Sequence, residues 1–397
     1  MTIKYIPFGG GARYMSVLAG PLAIFVLIVN NRRFDYKELW SEGLRFVTPF
    51  IPLVLGLGFF VLYHGQNLEF NAVLTRPLYA LLIYLAAREL GLSEKHLIYT
   101  ACVAAFVFLV VSLYDVYFIK RFRAFGGTYE NRFAQLSLMV FGLSGIYILK
   151  VRSNVINIFN IILLLSMIGA LYAVFLTQSR GPLLIIPLLF IFFVRRYWIS
   201  RTFTIGSLIF ISVLGIFILW ENPVYFERVK LAVEEAISFF HGNHDSSSVG
   251  IRLELWKIAF GTVSFERLFG LGRLSFNEIS HIIPELSISA INVSNHFPMD
   301  GGIYPWRYHG DIPQLIGFGG IFLFLSYAVT IFLLFKRSAG NLYLIWLVSC
   351  LLIFGLSELV VLNKYGFTLF ISCWALYCAA QDRGLRLRLR SRIGDKV

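Results

Sequence analysis

Apolar runs about as long as a bilayer is thick alternate with short polar connections from Met15 to Ala380. A helix needs ~20 such residues to cross a hydrocarbon core of ~30 Å. The pattern predicts spans near 14–30, 46–63, 74–91, 97–118, 133–149, 156–177, 182–194, 203–220, 312–335, 342–362 and 366–380. The expected fold is therefore all-α, a polytopic membrane helical bundle of about 11–12 spans. The run 182–194 is short, and 74–91 carries Arg88 and Glu89 near its end, so either reads as a half-span or as part of a cavity wall.

One stretch between the runs is long, 221–310, and a loop of short helices is expected there. It opens with PVYFERVKLAVEEAISFF (223–240), in which Phe226, Val229, Val233, Ile237 and Phe240 share one helical face. Such a helix is expected to lie on the membrane surface. The polar patch HGNHDSSSVG (241–250) separates it from a second helix beginning near Ile251.

Composition agrees with the pattern. Hydrophobic residues make up 58% of the chain and charged ones 14%, where a soluble domain carries about a quarter charged residues. The net charge of +13 calls for no nucleic-acid partner, because cytoplasmic loops of membrane proteins collect Lys and Arg. Cys102, Cys350, Cys373 and Cys378 all lie in apolar runs, where a thiol behaves as a small hydrophobe. The N-terminal stretch shows no small-residue cleavage site after its apolar core, so the first span is expected to be retained.

Basic residues then orient the chain. The tail RGLRLRLRSR (383–392) is expected in the cytoplasm, together with Arg32 and Arg33, Lys150 and Arg152, Arg195 and Arg196, and Lys336 and Arg337. Three arginine-bearing segments fall on the opposite, periplasmic side: 120–132, 178–181 and 221–310. The expected division is 1–220 for N-terminal spans, 221–310 for a periplasmic loop domain, 311–382 for C-terminal spans and 383–397 for a basic cytoplasmic tail.

Four motifs on that periplasmic side, in this order, resemble the O-antigen ligase and polymerase superfamily of bacterial envelope glycan transferases. They are Arg123, Gly126, Asn131 and Ala134 in RAFGGTYENRFA; the Ser-Arg-Gly of LTQSRGPLL (176–184); Arg252, Trp256, Phe269, Gly270, Gly272 and Phe276; and His309 with Gly320 eleven residues later. Two departures stand out. Gly310 follows the His where the family usually has Asn, Ser or Gln, and Leu323 replaces a second Gly. The resemblance covers roughly 120–325 and implies an inner-membrane enzyme with its site facing the periplasm. It also implies an undecaprenyl-pyrophosphate-linked glycan as donor, no metal or other cofactor, and inversion at the anomeric carbon.

Chemistry points to the same residues. A guanidinium is always charged and its planar fork meets phosphate oxygens in pairs, so arginines at the membrane boundary suit a pyrophosphate whose lipid tail stays in the bilayer. Arg180 and Arg252 are the foremost candidates and Arg123 the third. Arg180 otherwise anchors to lipid phosphate, and Arg252 otherwise pairs with Glu254 or Asp245. An imidazole suits removal of a proton from an acceptor hydroxyl near neutral pH, which makes His309 the candidate base. Asp311 is expected to cap the helix that follows. Asn131, Trp256, Tyr304 and Trp306 are weaker substrate-binding candidates, and His241, His244 and Asp245 lack the company a metal site needs.

Ligation of finished O-antigen to lipid A-core is preferred over polymerisation on the carrier, because one large periplasmic loop is closer to the ligase pattern. A transporter of lipid-linked glycan is the remaining alternative. It predicts charges deep within spans and an internal repeat.

Overall fold

The computed structural model describes residues 23–27, 29, 36–65, 75–125, 130–150, 158–179, 181–185, 223–242, 247–264, 267–272, 278, 281–286, 289, 310–361 and 364–394. Among these residues there are helices and turns and no strand, and the fold is an all-helical membrane bundle. Four described helical stretches are long and apolar enough to cross a membrane: Ser41–His64, Glu94–Phe118, Ile158–Thr177 and Asp311–Ser338. The expected spans near 182–194 and 203–220 lie almost wholly outside the described residues.

In chain order the helices are α1 (Tyr36–Val47), α2 (Ile51–His64), α3 (Arg76–Glu89), α4 (Glu94–Leu113), α5 (Glu130–Lys150), α6 (Ile158–Thr177), α7 (Pro223–Phe240), α8 (Ser248–Gly261), α9 (Asp311–Ser338), α10 (Leu342–Ser357) and α11 (Lys364–Gly394). At 1.5 Å per residue α3 reaches only ~21 Å, too short to cross alone. It packs against the long α11 instead, so the half-span reading of the 74–91 run fits it. The helices α4, α5 and α6 pack on one another, α5 also meets α10, and α9 packs between α2 and α10.

The packing of α5 on α10 shows how closely side chains interlock. Trp346 is fully buried and its indole donates to the Met139 carbonyl at 3.0 Å. The ring lies so near Gly142 that a Cβ there would stand 2.1 Å from it. Only a residue without a side chain fits at that crossing.

Charges gather at the two ends. At one end Tyr84 and Arg337 both donate to Asp382, at 2.8 and 2.7 Å, while Arg88 pairs with Glu42 and Lys150 with Glu94. These contacts tie α1, α3, α9 and α11, and separately α4 and α5, where the bundle leaves the apolar layer. The described candidates Arg123, Asn131, Arg252 and Trp256 are at the other end.

Helix α7 forms where the amphipathic pattern places it and packs on α8. Val233, Ile237 and Phe240 are exposed, with Phe240 at 78%. An apolar face left uncovered is what a helix lying on a membrane surface presents. Two side chains begin α8: Ser247 accepts from the Gly250 amide at 3.0 Å, and Glu235 of α7 accepts from the Val249 amide at 3.2 Å. Both satisfy amides that a helix start otherwise leaves without partners.

Candidate functional site

The four motifs converge on the short stretch Gly355–Val361, where α10 ends. The apolar pattern predicts a span to 362, but the helix stops at Ser357 and Glu358 is extended, with φ −147° and ψ 160°. Two neighbours hold the turn. The Glu358 amide donates to the Phe354 carbonyl at 2.9 Å. Asp311, fully buried, accepts from the amides of Val360 at 3.0 Å and Val361 at 2.9 Å. The first turn of α9 therefore supplies the acceptors for the link between α10 and α11. The cap expected of Asp311 is thus corrected: Gly310 is the N-cap of α9, and the carboxylate serves a different part of the chain. Gly355 makes room for it, since a Cβ there would stand 2.8 Å from Asp311 Oδ2.

Glu358 then faces two of the motif residues. Its Oε1 accepts from Asn131 Nδ2 at 2.5 Å and lies 3.7 Å from Nη2 of Arg252. Asn131 is in the first turn of α5 and Arg252 at the start of the second turn of α8. Among the described residues Arg252 pairs with Glu358, a partner far along the chain, where sequence proximity suggests Glu254 or Asp245. Trp256 is half-buried one turn further along α8 and tilts against Phe260, with centroids 6.1 Å apart.

The second motif reaches the same stretch through Gly181, where a Cβ would stand 2.7 Å from Ser357 Oγ. The fourth does so through Gly310, which lies against the Leu356 and Gly355 carbonyls. Arg180, His309, Tyr304, Trp306 and Gly126 lie outside the described residues, as do His244 and Asp245. His241 is described, and its Nδ1 lies 2.8 Å from the Ile237 carbonyl oxygen.

The Arg123 segment is stitched to the end of α6. The Ala124 amide donates to the Leu176 carbonyl at 2.9 Å, and Gln178 Nε2 donates to the Phe122 carbonyl at 3.2 Å. Gln178, two residues before Arg180, has φ +53°, a conformation costing ~1–2 kcal/mol for a side-chain-bearing residue. Arg123 pairs with Glu130 at 3.6 Å and its guanidinium stands over the Phe122 ring. Arg121 lies 3.7 Å from the buried Asp115, which also accepts from the Phe125 amide at 2.9 Å. Asp115 sits in a π-helical turn, Tyr114–Phe118, that continues α4. A carboxylate inside the bundle thus explains one of the arginines placed against the charge rule.

The glycines of the third and fourth motifs explain one another. Helix α9 is kinked at Gly320, with φ 63° and ψ −161°. The turn at Gly270 docks into the kink: the Gly272 amide donates to the Phe318 carbonyl at 2.9 Å, and the Phe322 amide to the Leu268 carbonyl at 3.2 Å. Phe269 closes the junction against Phe59, Tyr63 and Phe322, with ring centroids 5.0 to 5.6 Å apart. Leu323, the departure from the family pattern, is fully buried beside Gly56 and Gly319 and fills the gap between α2 and α9.

Sequence reasoning missed Glu358 and Asp115. A signal existed for both, because each carboxylate falls within a predicted apolar span, and an ionisable residue at that depth reads as functional by default.

A multi-pass helical membrane protein with arginines, an amide and carboxylates gathered at one end of the bundle is the class that fold and site define. Residues 163–297 match a family model described as O-antigen ligase, and this supports the superfamily that the motifs resemble. The matched region runs from within α6 to beyond the Gly270 turn, and so includes Arg180 and Arg252. Members of that family are glycosyltransferase-like enzymes. No curated protein matches the chain.

Proposed function

We propose that the chain is an O-antigen ligase, moving a glycan from undecaprenyl pyrophosphate to lipid A-core at the periplasmic face of the inner membrane. The observation that carries this reading is the convergence of Asn131, Gly181, Arg252 and Gly310, from four separate motifs, on Gly355–Val361. A set of arginines brought to one end of an apolar bundle suits a donor whose pyrophosphate sits at headgroup level.

In this mechanism Arg180 and Arg252 bind the pyrophosphate and stabilise the charge it gains on leaving, with Arg123 on the donor's phosphate or first sugar. His309 takes the proton of the acceptor hydroxyl as its oxygen attacks the anomeric carbon. The bond from that carbon to the phosphate oxygen breaks, and undecaprenyl pyrophosphate departs with the electron pair. Asn131, Trp256, Tyr304 and Trp306 contact the sugars, and no metal takes part.

The deciding experiment is the lipopolysaccharide profile of a deletion strain. A ligase leaves polymerised glycan on the lipid carrier when it is lost. Lipid A-core bearing at most one repeat would instead identify a polymerase, and an unchanged profile would remove the chain from this reaction altogether.

A further inference from the structure

Glu358 is a described carboxylate that meets residues of two motifs at once, and the motifs themselves give it no role. Its oxygen Oε1 takes the Asn131 amide at 2.5 Å and stands 3.7 Å from the Arg252 guanidinium. Its side chain is 21% exposed and that of Arg252 33%. Water therefore screens the pair less than it does an open surface pair, which contributes only ~0–1 kcal/mol.

We infer that Glu358 is a positioning residue, which fixes Arg252 and Asn131 relative to each other and aims the guanidinium at the donor's pyrophosphate; this rests on the role proposed above for Arg252. The backbone favours this task, because Glu358 stands on an extended link whose next two amides are held by buried Asp311. The chemistry favours it too. A carboxylate offers about four lone-pair positions and a guanidinium five N–H donors, so the contact through Nη2 leaves donors for a phosphate. Direct substrate binding by Glu358 is disfavoured, since its charge repels an anionic donor.

The test uses the full chain in nanodiscs, with an undecaprenyl-pyrophosphate-linked glycan and lipid A-core as substrates. Glu358→Gln keeps the shape and the Asn131 contact but removes the charge. It should lower kcat about tenfold and change the donor affinity at least threefold, because Arg252 is no longer aimed at the pyrophosphate. In an Arg252→Ala background, Glu358→Ala should slow transfer no further, because a residue acting through another is not additive with it. Additive losses, wild-type turnover in Glu358→Gln, or failure of both Glu358 variants to fold would each overturn the assignment, the last by making Glu358 a structural strut. If the wild-type chain transfers nothing, the ligase reading falls, and binding of undecaprenyl pyrophosphate alone decides the role of Glu358. A threefold or larger change in affinity in Glu358→Gln that vanishes in Arg252→Ala supports positioning, while an unchanged affinity or an additive effect overturns it.

Discussion

Gly270 and Gly320 meet backbone against backbone. A Cβ on Gly270 would stand 2.2 Å from the Phe318 carbonyl oxygen and 2.4 Å from the Gly320 nitrogen, and both glycines have positive φ. The contact ties the turn after α8 to the kink in α9, and so sets where the loop bearing Arg252 sits over the bundle.

Gly270→Ala should therefore damage the fold, since overpacking costs about 1–3 kcal/mol and the left-handed backbone about 1–2 more. Gly58→Ala, which meets nothing within 4 Å, is the control. Thermal unfolding in detergent should show a clear fall for Gly270→Ala and little change for Gly58→Ala.

Asp311 gives a second stability prediction. Its carboxylate accepts from the amides of Val360 and Val361, all buried, so Asp311→Ala leaves donors without their charged acceptor at about 1–3 kcal/mol each. Asp311→Asn keeps an acceptor oxygen and should lose less. The same unfolding assay ranks wild type above the Asn variant and the Asn variant above Ala.

Much of this arrangement was legible in the sequence because it depends on periodicity and on glycine. The apolar runs predict α2, α4, α5, α6, α9 and α10 to within a few residues, and the 223–240 face predicts α7. The glycine of the His309 motif and the Phe-Gly-x-Gly run each drew notice, yet their meeting could not be read, because it pairs segments far apart in the chain. Glu358 was hidden differently: Leu359, Val360 and Val361 extend the apolar run past the true end of α10, and hydropathy has no term for the amide acceptors that Asp311 supplies. Sequence proximity offers Arg252 only Glu254 or Asp245 as an alternative partner, whereas tertiary packing brings Glu358 to it.

Asn131→Asp should be more harmful than its size suggests. The Asn131 amide donates to Glu358 at 2.5 Å, and a carboxylate in its place turns a hydrogen bond into repulsion between like charges. Transfer activity should fall below that of Asn131→Ala, which removes the contact without adding a charge. Wild-type activity in both variants would show that Asn131 and Glu358 do not need each other.

His309 and Arg252 separate chemistry from binding. If His309 removes the acceptor proton, His309→Ala should lower turnover by roughly 10²–10⁴-fold, the usual contribution of a positioned base. Its donor binding should persist, because the pyrophosphate is held by arginines. Arg252→Ala should weaken capture of the lipid-linked donor and slow transfer as well, since its charge meets the phosphates both before and during departure. Donor binding and single-turnover transfer by folded, purified variants measure the two effects apart. Wild-type transfer by His309→Ala would move the base elsewhere, and full-strength donor binding by Arg252→Ala would confine that arginine to the structural pair it makes with Glu358.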